Sequence, residues 1–178
     1  MSNPQQTTIH LHPVGVVSSP LKNPSLNASK SGLERSYNTE GSRENYQRIK
    51  ETVSELVIAK ECQELLDGIE EFSHALVLYW PHLIAPERRR LRKVHPMGRK
   101  DLPLTGIFAT RSPARPNPIL VSVVKIIARR KNILEVAGLE AVDGSPVLDI
   151  KPHIKSYDTL EQPKIAPWME QIQRELES

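Results

Sequence analysis

Cysteine, aromatic residues and long apolar runs are all scarce in this chain. Its 178 residues include one cysteine, Cys62, so no disulfide can form within the chain and thiolates alone cannot build a metal site. Aromatic residues make up 4% of the chain, which argues against an RNA-binding protein whose strands stack bases on aromatic rings. No apolar run approaches the roughly 18 residues of a membrane span, and the N-terminus lacks a signal-peptide core. We therefore expect a cytoplasmic protein with no membrane partner.

Glycine-rich cofactor loops are also missing. The eight glycines form neither a G-x-G-x-x-G nor a G-x-x-x-x-G-K motif, which excludes a Rossmann dinucleotide loop and a P-loop. The motifs H-E-x-x-H and G-x-S-x-G are absent, and of the six histidines only His10 and His12 lie close together. The sequence therefore favours neither a hydrolase nor a metal site, and we expect no metal.

The chain does contain many short apolar segments rich in β-branched residues. Its 38% hydrophobic and 25% charged residues are typical of one soluble globular domain. Segments bounded by glycine, proline or polar residues predict about seven strands, at 14–20, 54–61, 74–82, 104–111, 119–129, 133–142 and 146–153. Short strands at this spacing predict a mainly β protein, a small barrel or a sandwich, and not a parallel βαβ sheet.

Helical patterns occur in two places. Residues 61–68, "ECQELLDG", predict a short helix with Cys62, Leu65 and Leu66 on one face and Gly68 as its C-cap. A C-terminal helix is predicted to begin at Pro167, packed on the barrel or on a second subunit. Its apolar stripe consists of Trp168, Met169, Ile172 and Leu176.

A long polar connection separates the first two predicted strands. Residues 25–53 exceed an ordinary connection, so they form either a functional loop or a partly disordered insertion. We expect a flexible N-terminus over 1–13, a barrel domain over 14–158 that contains this insertion, and a helical tail over 159–178.

Three prolines interrupt the strand pattern within "GIFATRSPARPNPILVSVVKI", residues 106–126. Because proline lacks the backbone N–H of a central strand, this segment is predicted to be a stiff, extended connection. Such a connection can hold side chains in fixed directions, or it can simply protect a sheet edge from aggregation. The polar side chains that it would present are Arg111, Arg115 and Asn117.

Positive charge is concentrated in "ERRRLRKVHPMGRK", residues 87–100, although the whole chain carries a formal net charge of only +3. Seven residues of this segment are cationic and one is acidic. The run indicates either a site for RNA phosphates or a solvated loop that aids solubility. The cations in question are Arg88, Arg89, Arg90, Arg92, Lys93, Arg99 and Lys100.

Two long motifs carry a family resemblance. "FATRSPARPNPILVSVV" followed by "LEVAGLEAVDGSPVLDIKPH", with "VGVVSSP" and "IEEFSHALVLYWPH" upstream, resembles the TsaA/TrmO (YaeB-like) family over residues 14–158. Members are S-adenosylmethionine-dependent methyltransferases that act on N6 of the threonylcarbamoyladenosine at position 37 of tRNA. The resemblance implies a small non-Rossmann β-barrel that binds S-adenosylmethionine as its cofactor. It also implies a homodimer with the active site at or near the interface.

The resemblance assigns roles to individual positions. It places His82 and Arg111 at the carboxylate or ribose of the cofactor, with Leu83 beside them. Val121 and the stretch 139–142 would contact the adenine and ribose, largely through the backbone. The implied cofactor-binding residues are His82, Leu83, Arg111, Val121, Leu139, Glu140, Ala141 and Val142. Independently of the resemblance, the charge of the basic run and of the proline-rich segment predicts the RNA-binding residues Arg88, Arg89, Arg90, Arg92, Lys93 and Arg115.

Four polar residues are candidates for the catalytic lining, namely Asn117, Asp143, Asp149 and Lys151. Asp143 suits a turn, and Asp149 and Lys151 are predicted to share a strand face with Val147, whereas Leu148 and Ile150 face the other way. An ordinary structural ion pair is the alternative for Asp149 and Lys151. A carboxylate here could orient or accept the N6 proton.

Departures from the family pattern leave the acceptor open. Leu120 replaces a usual glycine, Glu140 a common aspartate and His153 a common tyrosine, and the Pro-Arg-Gln stretch of the first long loop is absent. The alternatives to a tRNA methyltransferase are a methyltransferase of this fold acting on a small molecule and a non-catalytic RNA-binding barrel. DNA is not an expected partner.

Overall fold

A computed structural model describes residues 8–28, 33–35 and 41–177. The described strands are β1 (Gly15–Ser18), β2 (Leu26–Ala28), β3 (Leu33–Arg35), β4 (Val53–Ile58), β5 (His74–Tyr79), β6 (Lys93–Val94), β7 (Thr105–Gly106), β8 (Leu120–Arg130), β9 (Ile133–Ala137) and β10 (Pro146–Pro152). The described α-helices are α1 (Gly41–Glu51), α2 (Lys155–Asp158) and α3 (Pro167–Glu177). Single 3₁₀ turns and short 3₁₀ helices link several of these elements.

Six antiparallel strands close into a barrel in the order β1, β10, β5, β8, β9, β4. Pairing of β1 with β4 completes the closure, so none of these six strands is left as a sheet edge. Buried and less buried residues alternate along β4 and β5, as expected for strands with one face in a core. The fully buried centre includes Leu56, Val77, Val124, Leu134 and Val147.

The prediction of a mainly β barrel is confirmed, but the predicted strand over 104–111 is not part of it. Only Thr105–Gly106 is strand, and it pairs with Lys93–Val94 in a separate ribbon. The next residues, Ile107–Ala109, form a 3₁₀ turn whose Ile107 is buried in a small second core with Val94 and Ala114. Of the large apolar residues of this segment, only Ile107 packs in that second core, whereas Leu104 and Phe108 are 56% and 81% exposed, so the apolar pattern did not mark a barrel strand.

The predicted short helix is a 3₁₀ helix over Lys60–Leu66. Leu66 is buried and Cys62 packs against the barrel core, but Leu65 is 76% exposed, so the expectation that Leu65 shares their face is wrong. Asp67 is the C-cap, and Gly68, with φ of +84°, begins the next 3₁₀ turn. The tighter 3₁₀ geometry departs from the α-helical periodicity on which the expectation rested.

The long connection over 25–53 contains α1 and the β2–β3 hairpin. The C-terminal helix begins at Pro167 as predicted, and it contacts α1, which the sequence did not indicate as its partner. Residues 1–7 of the expected flexible terminus, and residues 29–32 and 36–40 of the insertion, lie outside the described residues. Within the described part of the chain, no helix has both the length and the apolar character needed to cross a membrane.

Candidate functional site at one end of the barrel

Strand register brings the candidate cofactor residues to one end of the barrel. Tyr79, the last residue of β5, lies opposite Leu120 of β8 and opposite Val147 of β10. The segment after β5, the proline-rich segment before β8 and the loop over 138–145 before β10 therefore meet at that end. His82 and Leu83, Arg111 and the stretch from Leu139 to Val142 lie in or next to these three segments.

Tyr79 clamps the 138–145 loop to the barrel wall. Its side chain is only 4% exposed, and its hydroxyl donates to the Glu140 carbonyl at 3.0 Å and lies 3.4 Å from the Ser122 hydroxyl. Burial is the main cause that raises the pKa of Tyr79 to about 12, so the phenol stays protonated at neutral pH. Sequence reasoning missed this residue, although a tyrosine that ends an aliphatic strand is a signal for a buried hydroxyl with a partner.

One guanidinium and one carboxyl lie near the clamped loop. The exposed Arg111 donates from Nη2 to the Val121 carbonyl at 2.6 Å, which ties the proline-rich segment to β8. Although Glu140 keeps a solvent-exposed part, desolvation raises the pKa of its carboxyl, and a hydrogen bond from Ser25 opposes the shift. Leu139 and Ala141 bury their side chains completely, so their backbone groups are what the loop can offer to a ligand.

Asp143 ties the same loop to the segment that follows β1. Its carboxylate accepts from the Ser19 backbone N–H at 2.9 Å and pairs with Lys22 Nζ at 2.8 Å. The Lys22 hydrogen bond, and then the Ser19 N–H, lower the pKa of Asp143, so this carboxylate is a weak base. The turn that was predicted here exists, with Gly144 at φ of +78°.

The turn at Gly144 and Ser145 also positions the side chain of His82. The hydroxyl of Ser145, which is fully buried, lies 3.3 Å from His82 Nδ1. A Cβ atom on Gly144 would lie 3.6 Å from His82 Nε2, so the imidazole rests directly against the turn. The exposed ring is therefore held by contacts on one side and open to solvent on the other.

The structure places Asp149 and Lys151 outside the barrel core. Their ion pair measures 2.6 Å, and both side chains are about half exposed. A bulge between Val147 and Asp149 shifts the alternation, so that Val147 is buried in the core and the partly buried Ile150 packs against it. The predicted grouping of Val147 with Asp149 and Lys151 on one face is therefore wrong. Asn117, the fourth polar candidate, is exposed and precedes β8.

The basic run contains both exposed and internally engaged cations. Arg90, Arg92 and Lys93 are exposed, whereas Arg88 and Arg89 are half-buried. Arg89 lies 5.0 Å from the centre of the Trp80 ring and donates twice to the Ile84 carbonyl, at 3.1 and 2.7 Å. The Arg89 guanidinium thus braces the loop after β5.

Arg115 is also engaged within the chain. Its guanidinium donates to the carbonyls of Ser112 at 2.9 Å, Ile107 at 3.4 Å and Thr110. These contacts fold the proline-rich segment back against the 3₁₀ turn before it. The hydrogen bonds of Arg115 therefore show a bracing role within the chain. The predicted contact of Arg115 with RNA stays a prediction.

These features define a class of small, closed, antiparallel barrels in which polar side chains from distant segments gather at one end. Sequence comparison names the family within this class. The family model for the tRNA-methyltransferase O N-terminal domain matches residues 37–159, more than half of the chain. The chain belongs to the tRNA-methyltransferase O family.

Individual relatives and solved structures agree with this assignment. A probable S-adenosyl-L-methionine-binding protein of Methanothermobacter thermautotrophicus is 42% identical over 152 residues, which cover 85% of this chain and 95% of that protein. A mouse tRNA (adenine(37)-N6)-methyltransferase is 40% identical over 94 residues, 53% of this chain and 21% of the mouse protein. The crystal structure of TrmO from P. aeruginosa matches with a TM-score of 0.65 and 23% identity, over 93% of this chain and 64% of that one. At that identity the structural match shows the fold alone.

Proposed function

We propose that this protein uses S-adenosylmethionine to methylate N6 of adenosine 37 in tRNA, where that adenosine carries a threonylcarbamoyl group. Family membership and the names of the relatives support the reaction class. The observation that carries the proposal is the meeting of Arg111, His82 and the clamped 138–145 loop at one end of the barrel.

The residues at this end fit the chemistry of the cofactor. The guanidinium of Arg111 matches a carboxylate, and the Glu140 carboxyl can accept from ribose hydroxyls or from an ammonium group. The buried side chains of Leu139 and Ala141 leave backbone N–H and C=O groups for the edge of an adenine ring. A dinucleotide-type glycine loop is not needed for any of these contacts.

The chain contributes to the reaction mainly by positioning. S-adenosylmethionine, when bound, supplies an electrophilic methyl group on a sulfonium. Holding two reactants in line can supply much of the reduction in the activation barrier. Tyr79 and Asp143 fix the 138–145 loop, which would hold the cofactor in that position. Because its pKa is lowered, Asp143 stays ionised and is better suited to orient the N6–H group than to take its proton.

Calorimetry with S-adenosylmethionine tests the site. Arg111→Ala should bind the cofactor more weakly than wild type, because it removes the cation that would meet the carboxylate. Arg130→Ala is the matched control, since Arg130 is an exposed arginine that pairs with Glu135 on the barrel wall. No binding by wild type, or equal binding by Arg111→Ala, would refute the assignment.

A labelling experiment tests the acceptor. Purified protein is incubated with methyl-labelled S-adenosylmethionine and either total tRNA or a metabolite extract. Label in tRNA, at the modified adenosine 37, is the expected result. Label in the metabolite pool would favour the small-molecule alternative, and no label in either pool would favour a non-catalytic RNA-binding barrel.

We also propose that the active protein is a homodimer whose site is completed by both subunits. His82, Arg111 and Glu140 are exposed in a single chain, so a second chain would be needed to enclose a ligand there. Asp149 and Lys151 point away from their own core and would line such a shared site from outside the barrel. A C2 contact would bury these faces in both copies.

Mixing two inactive variants tests the shared site. If each site combines Arg111 of one chain with Asp149 of the other, Arg111→Ala subunits mixed with Asp149→Ala subunits should regain part of the wild-type activity. Light scattering at micromolar concentration measures the assembly directly. A monomeric protein with full activity would contradict the proposal.

A further inference from the structure

Phe108 is 81% exposed, yet it belongs to a 3₁₀ turn that is held by a buried neighbour and by several hydrogen bonds. A single exposed apolar residue is ordinary on a protein surface. Here, however, the neighbouring Ile107 is buried in the second core with Val94 and Ala114, which fixes the backbone from which the ring projects.

Hydrogen bonds hold the turn from the other side. The Thr110 backbone N–H and hydroxyl donate to the Ile107 carbonyl at 3.2 and 2.8 Å. The Arg115 guanidinium donates to the carbonyls of Ile107 and Thr110. A ring mounted in this way loses little backbone entropy when it binds a partner.

The exposed cations Arg92 and Lys93 lie on the segment whose backbone pairs with the start of the Phe108 turn. The Ile107 backbone N–H donates to the Arg92 carbonyl at 2.9 Å, and Lys93 pairs with Gly106 in the β6–β7 ribbon. The ribbon thus brings the exposed middle part of the basic run next to the turn, and Arg111 follows Phe108 by three residues. An exposed aromatic ring on a turn that pairs with a cationic segment matches a nucleobase with its phosphates.

We propose that Phe108 stacks on an unpaired nucleobase of the RNA substrate, while Arg92 and Lys93 contact the adjoining phosphates. The inference rests on the proposed tRNA function and assigns it an RNA-contacting surface. Proteins that recognise single-stranded loops stack splayed bases on aromatic side chains, and this turn offers one exposed ring on the segment paired with Arg92 and Lys93. Low aromatic content argued against a stacking platform of several rings, but it does not argue against one ring.

Binding of a fluorescein-labelled anticodon stem-loop RNA tests the proposal. Phe108→Ala should raise the Kd roughly 5- to 150-fold, the range measured for loss of one base stack, with the salt slope and cofactor binding unchanged. Tyr157→Ala is the matched control, because Tyr157 is an aromatic residue with 82% exposure on α2, after the other end of β10. Its Kd should equal that of wild type.

Phe108→Trp supplies a second, direct readout. It should bind the RNA about as well as wild type, and its emission should be quenched by RNA beyond the change seen for Trp80 and Trp168 in wild type. The stacking role would be overturned if RNA did not quench the emission of Phe108→Trp, or if Phe108→Ala bound the RNA with an unchanged Kd. It would also be overturned if the sole effect of Phe108→Ala were to dissociate a dimer. Failure of wild type to bind or methylate tRNA would overturn the proposed function as well.

Discussion

Replacing Tyr79 by phenylalanine tests the clamp that holds the 138–145 loop. At pH 8 the change removes the hydrogen bond to the Glu140 carbonyl and leaves that carbonyl without its donor. A buried hydrogen bond of this kind contributes about 1 to 1.5 kcal/mol to the free energy of unfolding. We therefore expect Tyr79→Phe to be less stable than wild type by about that amount.

The difference in stability between wild type and Tyr79→Phe should shrink at alkaline pH. The ordinary pKa of a tyrosine is 10.0, and burial raises that of Tyr79 to about 12. Because the folded state holds the phenol proton more tightly than the unfolded state, the free energy of unfolding of wild type falls as pH rises through this interval. The loss amounts to about 1.4 kcal/mol by pH 11, so wild type and Tyr79→Phe should become nearly equal in stability there.

Urea unfolding followed by circular dichroism at pH 8, 9.5, 10.5 and 11 measures this convergence. The comparison uses the difference between the two proteins, because the lysines and other tyrosines titrate in both. Tyr157→Phe serves as the control, since that exposed tyrosine should give a difference near zero at every pH. A gap between wild type and Tyr79→Phe that stays constant from pH 8 to pH 11 would refute the assignment of a buried, proton-retaining clamp.

Two further predictions concern barrel closure and RNA binding. Gly15→Ala would place a Cβ atom 2.5 Å from the Val57 carbonyl oxygen in the β1–β4 pair, and should lower stability by about 1 to 3 kcal/mol in thermal melting. Gly106→Ala, whose Cβ would meet nothing within 4 Å, should melt close to wild type, and equal melting of both variants would contradict the argument. Neutralising the exposed cations of the basic run should weaken tRNA binding. The slope of the logarithm of the binding constant against the logarithm of the salt concentration should become less steep by roughly 0.7 to 0.9 for each phosphate that the protein no longer neutralises. An unchanged slope would place the RNA elsewhere. The cations to replace together are Arg90, Arg92 and Lys93.

The local pattern of the chain was sufficient to predict most barrel strands. His74–Tyr79 and Val53–Ile58 were predictable as short, mostly apolar segments, whereas their alternation between core and outer positions is not visible in the letters, because several outer positions are apolar too. The start of the last helix at Pro167 was also predicted from a local signal, because proline suits the first turn of a helix. The motifs of the proline-rich segment and of the last barrel loop carried the family assignment.

Only the tertiary structure decided which groups meet. Tyr79 and Glu140 are 61 positions apart, and their hydrogen bond exists because β5 ends beside the loop before β10. The bulge that turns Asp149 away from the core, and the ribbon that sets Lys93 beside Gly106, depend in the same way on register between distant segments. Apolar strand segments and the helix start at Pro167 depend on a few neighbouring residues and can be predicted from the sequence. Strand register and the burial that raises the pKa of Tyr79 arise only when the whole barrel closes around a common core.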